Sequence, residues 1–259
     1  MKYRQITAKL REAWADRQPI PGESELAASP DVDQGKAIQL SLHEAFVTGG
    51  RKPIGWKLGL TSQPAMDLFG ADEPMVGVIY ADSLLYDCAT LSSQDTISPR
   101  IEGEMLLEIG TVPQPGANDD ELIASLASVS AAFEVADSRF HGWPRAIGGA
   151  IADNACCGWV MRSQQSIAPS EADFEDTAMV LTRDGESISE GRASACLGSV
   201  LEVYRWFIES SHRCGRQLKP GEIILTGAMG PAIPMETPAT YHLSCPGLGE
   251  ATLRFGDTP

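Results

Sequence analysis

Glu102 and Glu104 stand two residues apart in the segment PRIEGEMLLEIG, residues 99–110. In a strand, residues two apart project to the same face. Carboxylates side by side on one face repel unless a cation neutralises them. Such a pair is one way to present two oxygen ligands to a divalent ion; the other reading is a solvated strand face. The run that follows, MLLEIG, is almost wholly apolar, the pattern of a buried strand, and an unpaired glutamate at its start is expensive. Glu108 shares the side of Glu102 and Glu104 but lies roughly 13 Å along the strand from Glu104 at ~3.3 Å per residue, and stands apart from them.

Two further residues join the candidates. Glu134 sits in AAFEVADSRF, an apolar run up to that point. It is either a third carboxylate converging on the first two or a surface or salt-bridged acid. Three glutamates around Mg²⁺ or Mn²⁺ leave a charge near −1 and room for waters or a bidentate oxo-acid. Lys57 lies between Trp56 and Leu58, with Gly55 and Gly59 on either side. A lysine in an apolar strand needs a partner, and is either a structural ion-pair member or a catalytic ammonium. The loops ADNA (152–155) and TGAMGP (226–231) are small and polar beside apolar segments; they line a site or merely turn the chain.

These residues must be held by surrounding elements. ITAKLREAWADR places Ile6, Leu10 and Trp14 on one helical face. After a loop with Pro19, Pro21 and Gly22, SPDVDQGKAIQLSLHEAFVTGG reads as a second helix, capped by Ser29 or Asp31 and stopped at Gly49–Gly50. Beyond RKPIG the texture changes to short strand-prone segments separated by Gly, Pro and Asp. Among them, DDELIASLASVSAA behind the cap Asn118 and LGSVLEVYRWFIESSHRCG ending at Gly215 read as helices. RDGE (183–186) and KPGE (219–222) are turn signals. The expected class is α+β, with a helical portion over residues 1–50 and a mixed, largely β catalytic core over 51–259, together one structural unit. The βαβα rhythm of a doubly wound sheet and the glycine-rich phosphate loop of a nucleotide site are both missing.

A formal charge of −15 disfavours nucleic acid and anionic membranes. An anionic substrate therefore needs a local positive centre, a buried Lys or Arg or a metal. Four histidines without a close pair and six cysteines without a CxxC pair disfavour a zinc site, so any metal is expected to be hard and oxygen-liganded. No apolar run approaches the ~20 residues that span a bilayer, and the N-terminus has no apolar block of a secretory signal. The expected compartment is the cytoplasm.

Five ordered blocks, GWKLGLTSQPAMDLFGADEPMVGVIYAD, PRIEGEMLLEIG, FEVADSRF with IADNACCGWV, GRASACLGSVLEVYRWF and LKPGEIILTGAMGPAIPM, closely resemble the 2-keto-4-pentenoate hydratase / 4-oxalocrotonate decarboxylase family of the fumarylacetoacetate hydrolase superfamily. The resemblance runs from about residue 30 to the C-terminus. It implies a β core of the fumarylacetoacetase C-terminal type, Mg²⁺ or Mn²⁺, a small 2-oxo acid substrate and a cytoplasmic homo-oligomer. By the same resemblance Glu102, Glu104 and Glu134 are metal ligands and Lys57 is catalytic. Met75, Asn154, Cys156 and Thr226 are the expected substrate-binding residues. Two positions depart from the pattern: Met75 replaces the acid–base aspartate of P-D-F-G or P-D-Y-G, and Cys156 replaces the serine of A-D-N-A-S. The TGAMGP loop looks more like the hydratase branch. The implied activity is metal-dependent hydration of a 2-hydroxy-2,4-dienoate, as in aromatic catabolism. The alternatives are decarboxylation or C–C hydrolysis of a related oxo-acid, or a lapsed catalyst acting as an accessory subunit of a pathway enzyme.

Overall fold

The structure, a computed structural model, describes residues 3–21, 25–29, 31–213 and 217–257. Gly22, Cys214 and the helix stop expected at Gly215 lie outside the described residues.

Two helices come first. Helix α1 (Arg4–Asp16) buries Leu10, with Ile6 and Trp14 packed beside it. Helix α2 (Val32–Thr48) is capped by Asp31, whose Oδ1 accepts from the Gln34 N–H at 2.9 Å, and it ends at Gly49. Ser29 supports that cap from behind, accepting from the Asp31 N–H. There follow β1 (Pro53–Gly59), α3 (Gln63–Phe69), β2 (Met75–Tyr80), β3 (Leu84–Tyr86), β4 (Thr90–Leu91), β5 (Arg100–Ile109), α4 (Asp119–Ser125) and β6 (Leu126–Ala136). The chain continues through α5 (Ile147–Ala152), β7 (Trp159–Arg162), β8 (Ala178–Arg183), β9 (Glu186–Arg192), α6 (Val200–Arg213), β10 (Ile223–Leu225), β11 (Ile233–Pro234), β12 (Ala239–Cys245) and β13 (Gly249–Phe255).

The strands form two sheets. The first runs β2-β1-β10-β5-β6-β7-β3, with β11 added at the start of β5. Its β1–β10 and β3–β7 pairs are parallel and the others antiparallel. The second sheet, β4-β13-β12-β8-β9, covers one face of the first. Ile101, Met105, Leu107 and Ile109 of β5 point into that interface and join Leu243, Leu253 and Met179 in the main core. By alternation, Glu102 and Glu104 are left on the opposite face. There Leu106, Ala132, Val160, Leu225 and Ile79 form a smaller apolar cluster around them.

The helix expected from DDELIASLASVSAA stops early. Asn118 caps it in a full capping box with Glu121, but α4 ends at Ser125 and the chain runs on as β6. Long antiparallel pairing with β5, from Ile109↔Leu126 to Arg100↔Ala136, overrides the modest helix preference of these Ala and Ser residues. Helices α3 and α5 have no counterpart in the sequence reading. Helix α5, IGGAIA, is glycine-rich because it touches α2 backbone to backbone: a Cβ on Gly35 would lie 2.5 Å from the Gly148 carbonyl oxygen. The RDGE turn forms as expected, with Asp184 and Gly185 both at positive φ between β8 and β9.

Candidate active site

The three glutamates converge. Glu102 lies directly opposite Glu134 in the β5–β6 register, and Glu104 lies one pleat along the same face. One carboxylate oxygen from each falls within 4.8 Å of the others. Glu104 and Glu134 are fully buried. Burial, then the neighbouring Glu134 and Glu102 charges, pushes Glu104 well above the usual carboxylate range. Burial and then Glu134 raise Glu102 to about 7. Burial likewise raises Glu134, opposed by Lys57.

Lys57 meets the cluster from β1. Its ammonium is 3.2 Å from Glu134 Oε1 and donates to the Ala155 carbonyl at 2.7 Å. Burial alone would lower its pKa, but the Glu134 and Glu102 carboxylates more than offset this and hold it above the ordinary lysine value. Lys57 is therefore a fixed ammonium rather than a free base.

The cluster remains short of positive charge and of donors. Fully ionised, three carboxylates and one ammonium would carry two net negative charges in a buried space, and the raised Glu102 and Glu104 show the cost of that charge without a further cation. Among the described residues Glu104 Oε1 has no hydrogen-bond partner; neither has either oxygen of Glu134, although Oε1 is within ion-pair distance of Lys57. Glu104 Oε2 receives the Gly227 N–H at 2.7 Å. Buried carboxylate oxygens left without donors, arranged as an all-oxygen triad, fit one hard divalent cation. Glu108 stays outside, paired with Arg162 at 2.7 Å.

A strained turn covers the other side of Lys57. Asn154, Ala155 and Cys156 have φ of +54°, +55° and +54°. Each such non-glycine residue costs roughly 1–2 kcal/mol, so the surroundings must impose the conformation. The Asn154 amide receives the Val78 N–H at 2.8 Å and donates to the Val78 carbonyl at 2.9 Å, completing the free edge of β2. Arg139 donates to Asp153 Oδ1 at 2.5 Å, to the Asp153 carbonyl at 2.6 Å and to the Cys157 carbonyl at 3.1 Å. Ser138 donates to Asp153 Oδ2 at 2.9 Å. Gly77 lets the turn lie flat on the sheet, since a Cβ there would be 2.5 Å from the Asn154 carbonyl oxygen. The result aims the Ala155 carbonyl at Lys57.

The expected substrate-binding residues divide. Met75 is buried in a cluster with Ile147, Ala155 and Cys156, and its Cε lies on the same side of Gly59 as Lys57 Cε. Cys156 is buried there too, its thiol pushed up by burial and held protonated. Both face the Lys57 side of the site as an apolar wall. Asn154 and Thr226 spend their polar groups on backbone instead: Asn154 on Val78, and the Thr226 hydroxyl on the Met105 carbonyl at 3.1 Å. These bonds brace β2 and the 226–231 loop. The sequence reading passed over Arg139, Asp153 and the Gly227 N–H. The reasoning applied to Glu134, a charge inside an apolar run, applies equally to Arg139 and Asp153; a backbone donor leaves no such signal.

The chain is 32% identical over 249 residues to 2-keto-4-pentenoate hydratase 2 of Dechloromonas aromatica (strain RCB), covering 96% of this chain and 95% of that protein. The chain belongs to the 2-keto-4-pentenoate hydratase family. No family model matches it. Its fold is also that of 4-oxalocrotonate decarboxylase from Pseudomonas putida G7, a structure complexed with magnesium and adipate, with a TM-score of 0.90, 23% identity and 97% of each chain covered. Fumarylpyruvate hydrolase from Pseudomonas aeruginosa, complexed with Mn²⁺ and pyruvate, shares the fold more distantly: TM-score 0.58, 16% identity, with 80% of this chain and 91% of that chain covered. In this member of the hydratase family the carboxylate triad, Lys57 and the 154–156 turn occupy one face of the first sheet, away from the second sheet.

Proposed function

We propose that the protein is a divalent-metal-dependent hydratase that converts a 2-hydroxy-2,4-dienoate and water into a 4-hydroxy-2-oxo acid. The observation that carries this is the convergence of Glu102, Glu104 and Glu134 beside the ammonium of Lys57, in a chain of the hydratase family. In the balanced reaction C4 gains hydroxyl, C5 and C3 each gain a hydrogen, and the 2-hydroxyl loses its proton.

Glu102, Glu104 and Glu134 would hold Mg²⁺ or Mn²⁺, which supplies Lewis-acid polarisation of the substrate's 2-oxygen and positive charge for its carboxylate. Lys57 holds a proton at Nζ, fixed by Ala155 and Glu134. Nζ donates to the Ala155 carbonyl and stands at ion-pair distance from Glu134 Oε1, so donor capacity is left for the bound acid. The ammonium thus serves as positioned proton donor and recovers the proton later. Met75 carries no proton and Cys156 keeps its own, so both shape the space without entering the relay. Ile79, Leu106, Ala132 and Val160 exclude water from the buried side.

The protein with Mg²⁺ is expected to bleach the absorbance of 2-hydroxypenta-2,4-dienoate, yielding 4-hydroxy-2-oxopentanoate by mass. Chelator and Glu104→Gln each abolish this. Release of CO₂, or of a second acid by C–C cleavage, identifies another reaction of the superfamily and overturns the hydratase reading. A second reading, an accessory subunit that holds metal without turnover and stabilises a pathway enzyme, draws on the wall of Met75 and Cys156, neither of which exchanges a proton. It requires Mn²⁺ binding with no dienoate consumed, and turnover gained in Met75→Asp.

The same proposal places the protein in the cytoplasm as a homo-oligomer. No helix among the described residues is long and apolar enough to cross a membrane.

A further inference from the structure

Arg100 opens β5 and, by the same two-residue alternation, shares the face of Glu102 and Glu104. Unlike them it is exposed. Its guanidinium lies 4.9 Å from the centroid of the Trp143 ring. Trp143 has φ of +69°, a conformation that bulky residues seldom adopt. Its indole N–H faces the Ser98 carbonyl at 3.2 Å and the Ser98 hydroxyl at 3.3 Å. The ring also packs against the Met75–Cys156 cluster. The chain thus accepts local strain to set one aromatic plane between the apolar wall of the site and Arg100.

Charge bookkeeping singles Arg100 out. Around the site the described residues offer Lys57, Arg139 and Arg100. Lys57 is engaged by Glu134 and Ala155, and Arg139 is locked on Asp153. Among the described residues no carboxylate comes within ion-pair distance of Arg100, which keeps its ring contact and acts on Glu102 only at longer range. A guanidinium prepositioned on an aromatic face keeps its fork of donors for a carboxylate.

We propose that Arg100, held against Trp143, binds the carboxylate of the incoming 2-hydroxy or 2-oxo acid at the rim of the site. It rests on the reading of the carboxylate–lysine cluster as a site for such acids. Because Arg100 adjoins Glu102 on the ligand strand, the carboxylate it meets is the one next to the 2-oxygen, not a distal one. In a chain of net charge −15, Arg100 is then the cation that admits an anion to a cluster of glutamates.

The experiment is calorimetric titration of the Mn²⁺-loaded full chain with 2-oxobutanoate, which has one carboxylate and is not turned over. Arg100→Gln is expected to weaken 2-oxobutanoate about tenfold or more, the effect of losing a charge-assisted bidentate contact. Arg100→Lys recovers part of the loss. Mn²⁺ affinity, read separately by electron paramagnetic resonance, is as tight as in the unaltered chain or tighter, since a positive charge beside Glu102 has been removed. KM for the dienoate rises in parallel with little change in kcat. Binding of 2-oxobutanoate within twofold in Arg100→Gln overturns the assignment, as does weakening confined to a diacid such as 2-oxoadipate. Loss of Mn²⁺ binding together with the acid also overturns it, by showing a structural role. If no dienoate is hydrated while the 2-oxobutanoate effect holds, the hydratase reading fails and Arg100 stands; dienoate turnover with unaltered 2-oxobutanoate binding in the variant gives the converse.

Discussion

The Lys57 ammonium is held between the Ala155 carbonyl, 2.7 Å away, and Glu134 Oε1, 3.2 Å away. One contact comes from a strained turn and the other from a strand of the carboxylate triad. Lys57 thereby couples the part of the site that can hold metal to the part that can move a proton. Replacement by methionine keeps the length and removes the charge. Lys57→Met is expected to lower kcat by about 10²- to 10⁴-fold, the range for a lost general acid–base group. Mn²⁺ binding is expected to persist, because none of the three proposed ligands is touched. Stopped-flow dienoate bleaching and Mn²⁺ resonance titration on the same preparation separate the two; a variant that loses both assigns Lys57 to building the metal site.

Glu104→Gln should move metal binding and bare stability in opposite directions. Glu104 is buried, its pKa is raised by burial and by two neighbouring carboxylates, and Oε1 has no donor. Glutamine fills the same volume without the charge, so the metal-free variant is expected to melt at or above the temperature of the metal-free parent. The upward shift on adding Mn²⁺ is expected to fall to near zero, because a proposed ligand is gone. Paired thermal scans with chelator and with Mn²⁺ read both. A metal-free variant that melts well below its parent would mean that Glu104 stabilises the fold by itself.

Much of this was legible in the sequence. The two-residue spacing of Glu102 and Glu104, and a lone acid at Glu134 in an apolar run, identify charges that a buried strand cannot leave uncompensated. Strand pairing then brings Glu102 opposite Glu134. The capping signals of Asp31 and Asn118 and the RDGE hairpin are local chemistry, and they form where expected. What was not legible depends on partners distant in the chain. The 126–132 stretch becomes strand because β5 is beside it. The backbone bonds of Asn154 and Thr226, in loops that line a site or merely turn the chain, go to partners that only the tertiary fold supplies. Of the three successive left-handed residues at 154–156, Asn154 is of a type that tolerates the conformation, but Ala155 and Cys156 carry no sequence signal for it.

Metal-free stability and metal binding should respond to pH with opposite signs. Burial and the Glu134 charge raise Glu102 from an ordinary 4.5 to about 7. Between those values the folded, metal-free protein keeps a proton that the unfolded chain has released. Stability of the metal-free form therefore falls as pH rises through this window. Bound metal requires the carboxylates deprotonated, so the stabilisation added by Mg²⁺ is small at the acid end and grows as pH passes about 7. Thermal scans across that interval, with Mg²⁺ and with chelator, should diverge toward alkaline pH; a constant gap would remove Glu102 from the ligand set.

Arg139 and Asp153 give a test of the turn itself. The pair is fully buried, and Arg139 also binds the Asp153 and Cys157 carbonyls that flank residues 154–156. Arg139→Gln leaves the Asp153 carboxylate buried without its cation, a loss of about 3–5 kcal/mol. Adding Asp153→Asn removes that stranded charge, so the double variant is expected to regain much of the stability, read from urea midpoints. Turnover should not return with it. The carbonyls stay unclamped, the left-handed turn is no longer imposed, and the Ala155 oxygen loses its aim at Lys57. A double variant that recovers kcat along with stability would show that the turn holds its shape without Arg139, and that Lys57 is oriented by Glu134 alone.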